Sequence, residues 1–310
     1  MLGMNTNEIE QYINHLRVGN ASPHTVEAYR RDLAAVFTAL DILCPGIVLR
    51  AVTPTLLDEA LQHDIVLVAK DGTPRSPSSI QRIKASTRSF FAWAEQVGLI
   101  DSHPARYLQC PKLAQRPPNH MTARETKTFL RVLRDANNVE ARRDRAIFEV
   151  FLGTGIRLAE LVALNLDNID LESKHMRIVG KGGVPQVKFL KESVRIALRG
   201  YLAVRNRTIS KLEDRKKIKP ADYEALFLSN QGTRITPRQI HRRLAYWLRR
   251  AGIAKTLSPH SLRHTFATRL YEKSGDLLVV QRALGHKHLA TTTIYTHLRD
   301  EQLQNAIEDL

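Results

Sequence analysis

The chain has 310 residues, enough for about two domains of ordinary size, and 43% of them are apolar, so it can bury real cores. No run approaches the roughly 20 apolar residues needed to span a bilayer, and the opening MLGMNTNEIEQYI lacks the form of a signal peptide, so a cytoplasmic protein without a membrane partner is expected. Lys and Arg outnumber Asp and Glu by 47 to 31, a net charge of +16 that suits a polyanionic partner.

The first 110 residues read as a small all-helical domain. Ser22-Pro23 supplies an N-cap and a first-turn proline, after which Val26, Tyr29, Leu33, Val36, Phe37 and Leu40 recur at helical spacing. Ser78–Val97 repeats the pattern with Ile80, Ile83, Phe90, Phe91 and Ala94, and Gly98 follows as a helix stop. Arg82, Lys84 and Arg88 are expected on its outer face. The only cysteines, Cys44 and Cys110, share no metal-ligand spacing and read as two ordinary buried thiols.

Residues 111–120 (PKLAQRPPNH) combine prolines with polar residues and read as an exposed linker. Beyond it, residues 121–310 should form a larger, mainly helical domain with one short antiparallel sheet. Thr122-Ala-Arg-Glu125 has the form of a capping box. Met176–Leu190 alternates around Gly182-Gly183 and predicts a β-hairpin. Residues 205–222 are charged and poor in apolar side chains, which predicts a solvated excursion. Thr236-Pro237 then starts a helix with Ile240, Leu244 and Trp247 as its core stripe.

Five segments of this second domain can carry chemistry. Arg157 follows a glycine-punctuated turn (GTGIRLAEL), where its ordinary reading is a surface arginine paired with Glu160. Lys181 sits at the hairpin turn. His260 and Arg263 open a helix three residues apart and share a face, with Leu262, Phe266 and Leu270 expected on the opposite, core-facing side. A first helical turn also aims backbone N–H groups at any bound anion. Gly285 ends the next short helix, His286 follows it, and Tyr295 lies nine residues further on.

The order Arg, Lys, His-x-x-Arg, His, Tyr, in the contexts GTGIRLAEL, HSLRHTFAT and LGH…TTTIYTH, strongly resembles the tyrosine recombinase (phage integrase) family in its simple Xer-like form. SPHTVEAYRRDL and SIQRIKASTRSFFAWAEQVGLI resemble that family's core-binding domain, so the likeness covers nearly the whole chain. It implies a site-specific DNA recombinase that cleaves and rejoins strands through a covalent 3′-phosphotyrosine and a four-way junction. Arg157, Lys181, His260, Arg263, His286 and Tyr295 would be the catalytic residues, with Tyr295 the nucleophile. One departure stands out: Lys181-Gly-Gly is followed by Val184-Pro185-Gln186 rather than further charged residues, which makes Lys188 the alternative to Lys181.

The chemistry accounts for these residue types. Two arginines can each place a fork of donors on the non-bridging oxygens of a phosphodiester, which lysine cannot do. A phosphotyrosine conserves the diester, so neither ATP nor a metal is required, and no cofactor or metal site is expected. The resemblance further implies double-stranded DNA with inverted-repeat sites as partner, bound by a tetramer of this chain or one mixed with a related recombinase. The tail Leu298–Leu310 carries an apolar stripe at Leu303, Ala306, Ile307 and Leu310 that would pack on its own domain or on another; the resemblance implies docking onto a neighbouring protomer. Two other readings compete: a type IB topoisomerase-like relaxing enzyme, and a non-catalytic DNA-binding protein on the same fold.

Overall fold

The computed structural model describes residues 6–110, 119–180, 183–213 and 223–285. The chain divides into two compact units, Met1–Gln115 and Arg116–Leu310.

The first unit contains α1 (Thr6–Val18), α2 (Pro23–Leu43), α3 (Pro54–Gln62), α4 (Asp64–Leu67) and α5 (Pro77–Gln96). Three of these helices start in the same way. Ser22, Thr53 and Ser76 accept from the backbone N–H three residues on, and a proline follows each of them. Their apolar faces bury Val36, Leu40, Ile83 and Phe90, with Tyr12 and Phe37 meeting the Phe90 ring nearly edge-on. Arg82 is not merely a surface cation: it reaches inward to Asp32, 2% exposed, through two hydrogen bonds of 2.8 Å. Losing Arg82 would leave this buried carboxylate without either bond. The expected burial of both cysteines is corrected here. Cys44 is exposed because it caps α2 beyond its core face, and Cys110 is half-exposed at the end of an irregular stretch.

The second unit contains α6 (Ala123–Asp135), α7 (Val139–Thr154), α8 (Leu158–Ala163), the strands β1 (Ile169–Asp170), β2 (His175–Val179) and β3 (Pro185–Phe189), then α9 (Glu192–Glu213), α10 (Pro237–Arg250), α11 (Pro259–Ser274) and α12 (Leu277–Leu284). Helix α7 is the central element, buried from Ala141 to Thr154 on most of its positions and packed by α6, α9 and α11. Its Asp144 is fully buried and accepts from Arg143, Arg243 and the Trp247 indole N–H (2.8 Å), tying α7 to α10. The capping box at Thr122 and Glu125 forms as the sequence predicts.

The hairpin also forms, with β2 and β3 antiparallel and Met176 opposite Lys188, Ile178 opposite Gln186. Gly183 turns it with φ +77°. A third strand, β1, pairs with β2 over two residues, too short to show any alternation. The solvated excursion is corrected over its first half. Helix α9 runs on to Glu213, and Arg205 is 2% exposed, its guanidinium donating to the carbonyls of Tyr223, Ala225 and Leu226. Residues 214–222 lie outside the described residues, as do 111–118 of the expected linker.

Candidate active site

The site forms where the end of α7, the start of α11 and the end of α12 meet. Helix α7 stops at Gly155, whose φ of +61° only glycine adopts freely. A Cβ there would stand 2.4 Å from Phe266 of α11 and 2.9 Å from Leu284 of α12. The glycine is therefore required by close approach as well as by backbone conformation. Two residues later Arg157 caps α8. Its backbone N–H donates to Glu160 Oε2 (2.8 Å) and its guanidinium to Oε1 (2.7 Å), which fixes the guanidinium while leaving 35% of the side chain exposed. The ordinary pairing with Glu160 is thus present, and it orients the group rather than occupying all of it.

Helix α11 begins at Ser258, capped reciprocally with Ser261 and started by Pro259. It places His260 at the surface and turns Arg263 inward. The expectation that Arg263 lies on a polar face opposite the core is corrected: Arg263 is 3% exposed. One of its N–H groups donates to the Gly155 carbonyl, another to that of Leu284 at 2.7 Å. These partners explain how the cation is tolerated in the interior, since buried charge needs specific hydrogen bonds. Helix α11 is buried on most sides, Leu262 fully and Phe266 and Leu270 only in part, which the stripe of apolar residues alone does not reveal.

His260 packs its ring against His264, centroids 4.5 Å apart. Lost hydration, then the charges of Arg263 and Arg157, push its pKa below the ordinary histidine value. The imidazole is therefore neutral at pH 7 and can accept a proton.

Lys188 arrives from β3. It is 5% exposed and donates to the Ala283 carbonyl in the last turn of α12. Burial, followed by Arg263 and then, against the pull of Glu160, Arg157, lowers its pKa to about 8. The two arginines, Arg157 and Arg263, thus stand within electrostatic reach of both His260 and Lys188. Lys181, His286 and Tyr295 lie outside the described residues, although Gly285, with φ +66°, directly precedes His286.

Lys188 was visible in sequence only as an alternative. The stronger signal is register: Met176 and Ile178 point inward, so their partners Lys188 and Gln186 must as well, and two polar side chains there are out of place. Among the described residues, no group of three or more His, Cys, Asp or Glu could hold a metal ion, and no helix is long and apolar enough to cross a membrane. The arrangement can hold an anion between two arginines at a helix N-terminus and exchange a proton with it or with a nucleophile beside it.

The phage integrase family matches residues 119–302, and the phage integrase N-terminal SAM-like domain matches residues 9–98. Among curated relatives, tyrosine recombinase XerC of Yersinia pestis is 34% identical over 297 residues, covering 96% of this chain and 91% of the relative. Tyrosine recombinase XerC of Chromobacterium violaceum is 35% identical over 295 residues, covering 95% and 91%. Among solved structures, XerH site-specific recombinase bound to palindromic difH substrate in a post-cleavage complex superposes with a TM-score of 0.72 at 21% identity, over 96% of this chain and 83% of that one. A lambda integrase dimer bound to a COC′ core site gives 0.67 at 18% identity, over 93% and 94%. These two likenesses concern the fold.

Proposed function

The chain belongs to the phage integrase family and is a tyrosine site-specific recombinase; from that premise we propose that Tyr295 is its nucleophile and that Arg157, His260, Arg263, Lys181 and His286 complete the site. The observation that carries this reading is the convergence of Arg157, His260 and Arg263, from two separate stretches of chain, at the start of α11.

A scissile phosphate seated there meets donors fixed before the reaction. Arg157 is held by Glu160 and Arg263 by the Gly155 and Leu284 carbonyls, so neither has to reorganise as negative charge builds on the non-bridging oxygens. The tyrosine hydroxyl, with an ordinary pKa near 10, needs its proton taken as it attacks. His260, neutral at pH 7, accepts it. The new bond joins the Tyr295 oxygen to phosphorus, the bond to the 5′-oxygen breaks, and Lys181 gives that oxygen a proton. Religation by a 5′-hydroxyl of a second duplex reverses the same steps and exchanges the strands.

The partner is double-stranded DNA carrying inverted-repeat sites, and its relative XerH is known bound to a palindromic substrate. A tetramer, of this chain alone or with a related recombinase, holds two such sites in the cytoplasm, and the tail Leu298–Leu310 docks between protomers. The test is trapping on a nicked suicide substrate. Wild-type protein should form a covalent adduct without nucleotide or added metal, and Tyr295→Phe should form none while still retarding the DNA. An adduct with Tyr295→Phe would assign the nucleophile elsewhere.

A further inference from the structure

The inward face of β3 holds the last turn of α12. Lys188 donates to the Ala283 carbonyl, and Arg263 donates to the next one, Leu284. Two cationic side chains thus sit on consecutive carbonyls at a helix C-terminus, where the negative end of the dipole and the unpaired carbonyls favour them. Two residues from Lys188 on the same face, Gln186 lies over Gly285: a Cβ on that glycine would stand 2.2 Å from Gln186 Oε1. The same oxygen is buried and has no hydrogen-bond partner among the described residues. The Gln186 amide nitrogen also lies 2.7 Å from where a Cβ on Gly180 would be, so the side chain lies between the hairpin's turn and the helix end.

A buried ammonium is an expensive way to brace a helix. A methionine of similar length would fill the space without losing hydration. The inward positions opposite Met176 and Ile178 would ordinarily take apolar side chains. What the lysine adds is directionality, because one carbonyl is held at a fixed point rather than along a greasy surface, while Gln186 packs closely over the glycine beside it.

We propose that Lys188 and Gln186 form a latch by which β3 positions the turn at Ala283–Gly285, and so the chain that continues from it to His286 and Tyr295. Lys188 is a positioning residue. The latch rests on Tyr295 being the nucleophile, and it links the strand that follows Lys181 to the segment that carries the attacking hydroxyl. A change in the hairpin is then felt at the turn, and the reverse.

The experiment compares Lys188→Met with the wild type on a suicide substrate, once with oxygen and once with sulfur at the 5′-bridging position. A latch predicts DNA affinity within about twofold of wild type and cleavage slowed by about tenfold or more, equivalent to about 1.4 kcal/mol or more. The slowing should be equal for both substrates, because orientation of the nucleophile does not depend on the leaving group. Amide hydrogen exchange should rise in residues 280–284 and stay unchanged in α7, which also identifies any variant that has merely lost its fold. Rescue by sulfur would make Lys188 the general acid and overturn the latch, as would cleavage at the wild-type rate or unchanged exchange at the turn. An adduct in Tyr295→Phe tests the nucleophile separately, so the two failures are distinguishable.

Discussion

Arg157 and Arg263 share a proposed task, yet they should differ sharply when stability is measured without DNA. Arg263 is 3% exposed and holds two carbonyls, those of Gly155 and Leu284. Hydrogen bonds to a charged group contribute about 1.5–3 kcal/mol each, so Arg263→Ala forfeits about 3–6 kcal/mol before relaxation. Part is returned, because the same charge depresses the pKa values of Lys188 and His260 and its removal relieves both. A net loss of about 3 kcal/mol follows. Arg157 is one-third exposed, and after Arg157→Ala the Glu160 carboxylate keeps its bond from the backbone N–H of residue 157, so about 1 kcal/mol is at stake. The chain has two tryptophans, Trp93 in the first unit and Trp247 in the second. In a Trp93→Phe background, Trp247 fluorescence reports on the catalytic unit alone. With a urea m-value of about 2–3 kcal/mol/M, the midpoint should fall by about 1–1.5 M for Arg263→Ala and by less than about 0.5 M for Arg157→Ala. Equal shifts would refute the view that one arginine is a structural keystone and the other is not.

Two further outcomes are expected. Lys188 has a folded-state pKa of about 8 against 10.5 unfolded, so above pH 8 the unfolded chain binds the extra proton and native stability rises with pH. The burial penalty, on the order of 3 kcal/mol, applies in full below pH 8 and is gone above pH 10.5. The melting temperature of the wild type should therefore gain on that of Lys188→Met between pH 7.5 and 9.5; parallel curves would mean that the ammonium is not buried in solution. Lys181→Ala should slow cleavage by about 10²–10⁴-fold, as general acid catalysis typically does. A 5′-bridging sulfur should restore its rate, with Arg157→Ala showing no such rescue; if sulfur fails to rescue Lys181→Ala, the proton comes from another group.

Much of the fold is legible because it is punctuated locally. Ser22-Pro23, Thr236-Pro237 and Ser258-Pro259 all start helices, and Thr122 with Glu125 closes its capping box. Such signals act within one turn, so neighbouring residues suffice to read them. What escapes is decided over distance. Arg205 looks like part of a charged, solvated run, but three carbonyls some 20 residues away bring it into the interior. Arg263 sits on what a helical wheel marks as the polar side, yet carbonyls 21 and 108 residues away bury it. The pairing of β1 with β2 leaves no periodic trace in two residues. Lys188 was legible in principle, since cross-strand register dictates its direction once the hairpin is granted.

Gly155 has a consequence for anyone who would retarget such a protein by random mutagenesis. Three stretches of chain, the end of α7, Phe266 and Leu284, crowd around a spot where not even one extra carbon fits. Any substitution at this position has to shift the side chains of Phe266 and of Leu284, the residue whose carbonyl Arg263 holds, before any DNA is offered. Diversity there cannot be screened for new targets, because nearly every substitution asks the same question of folding. Useful variation has to be introduced where side chains have somewhere to go, and any redesigned neighbour must leave the Gly155 carbonyl where Arg263 can reach it.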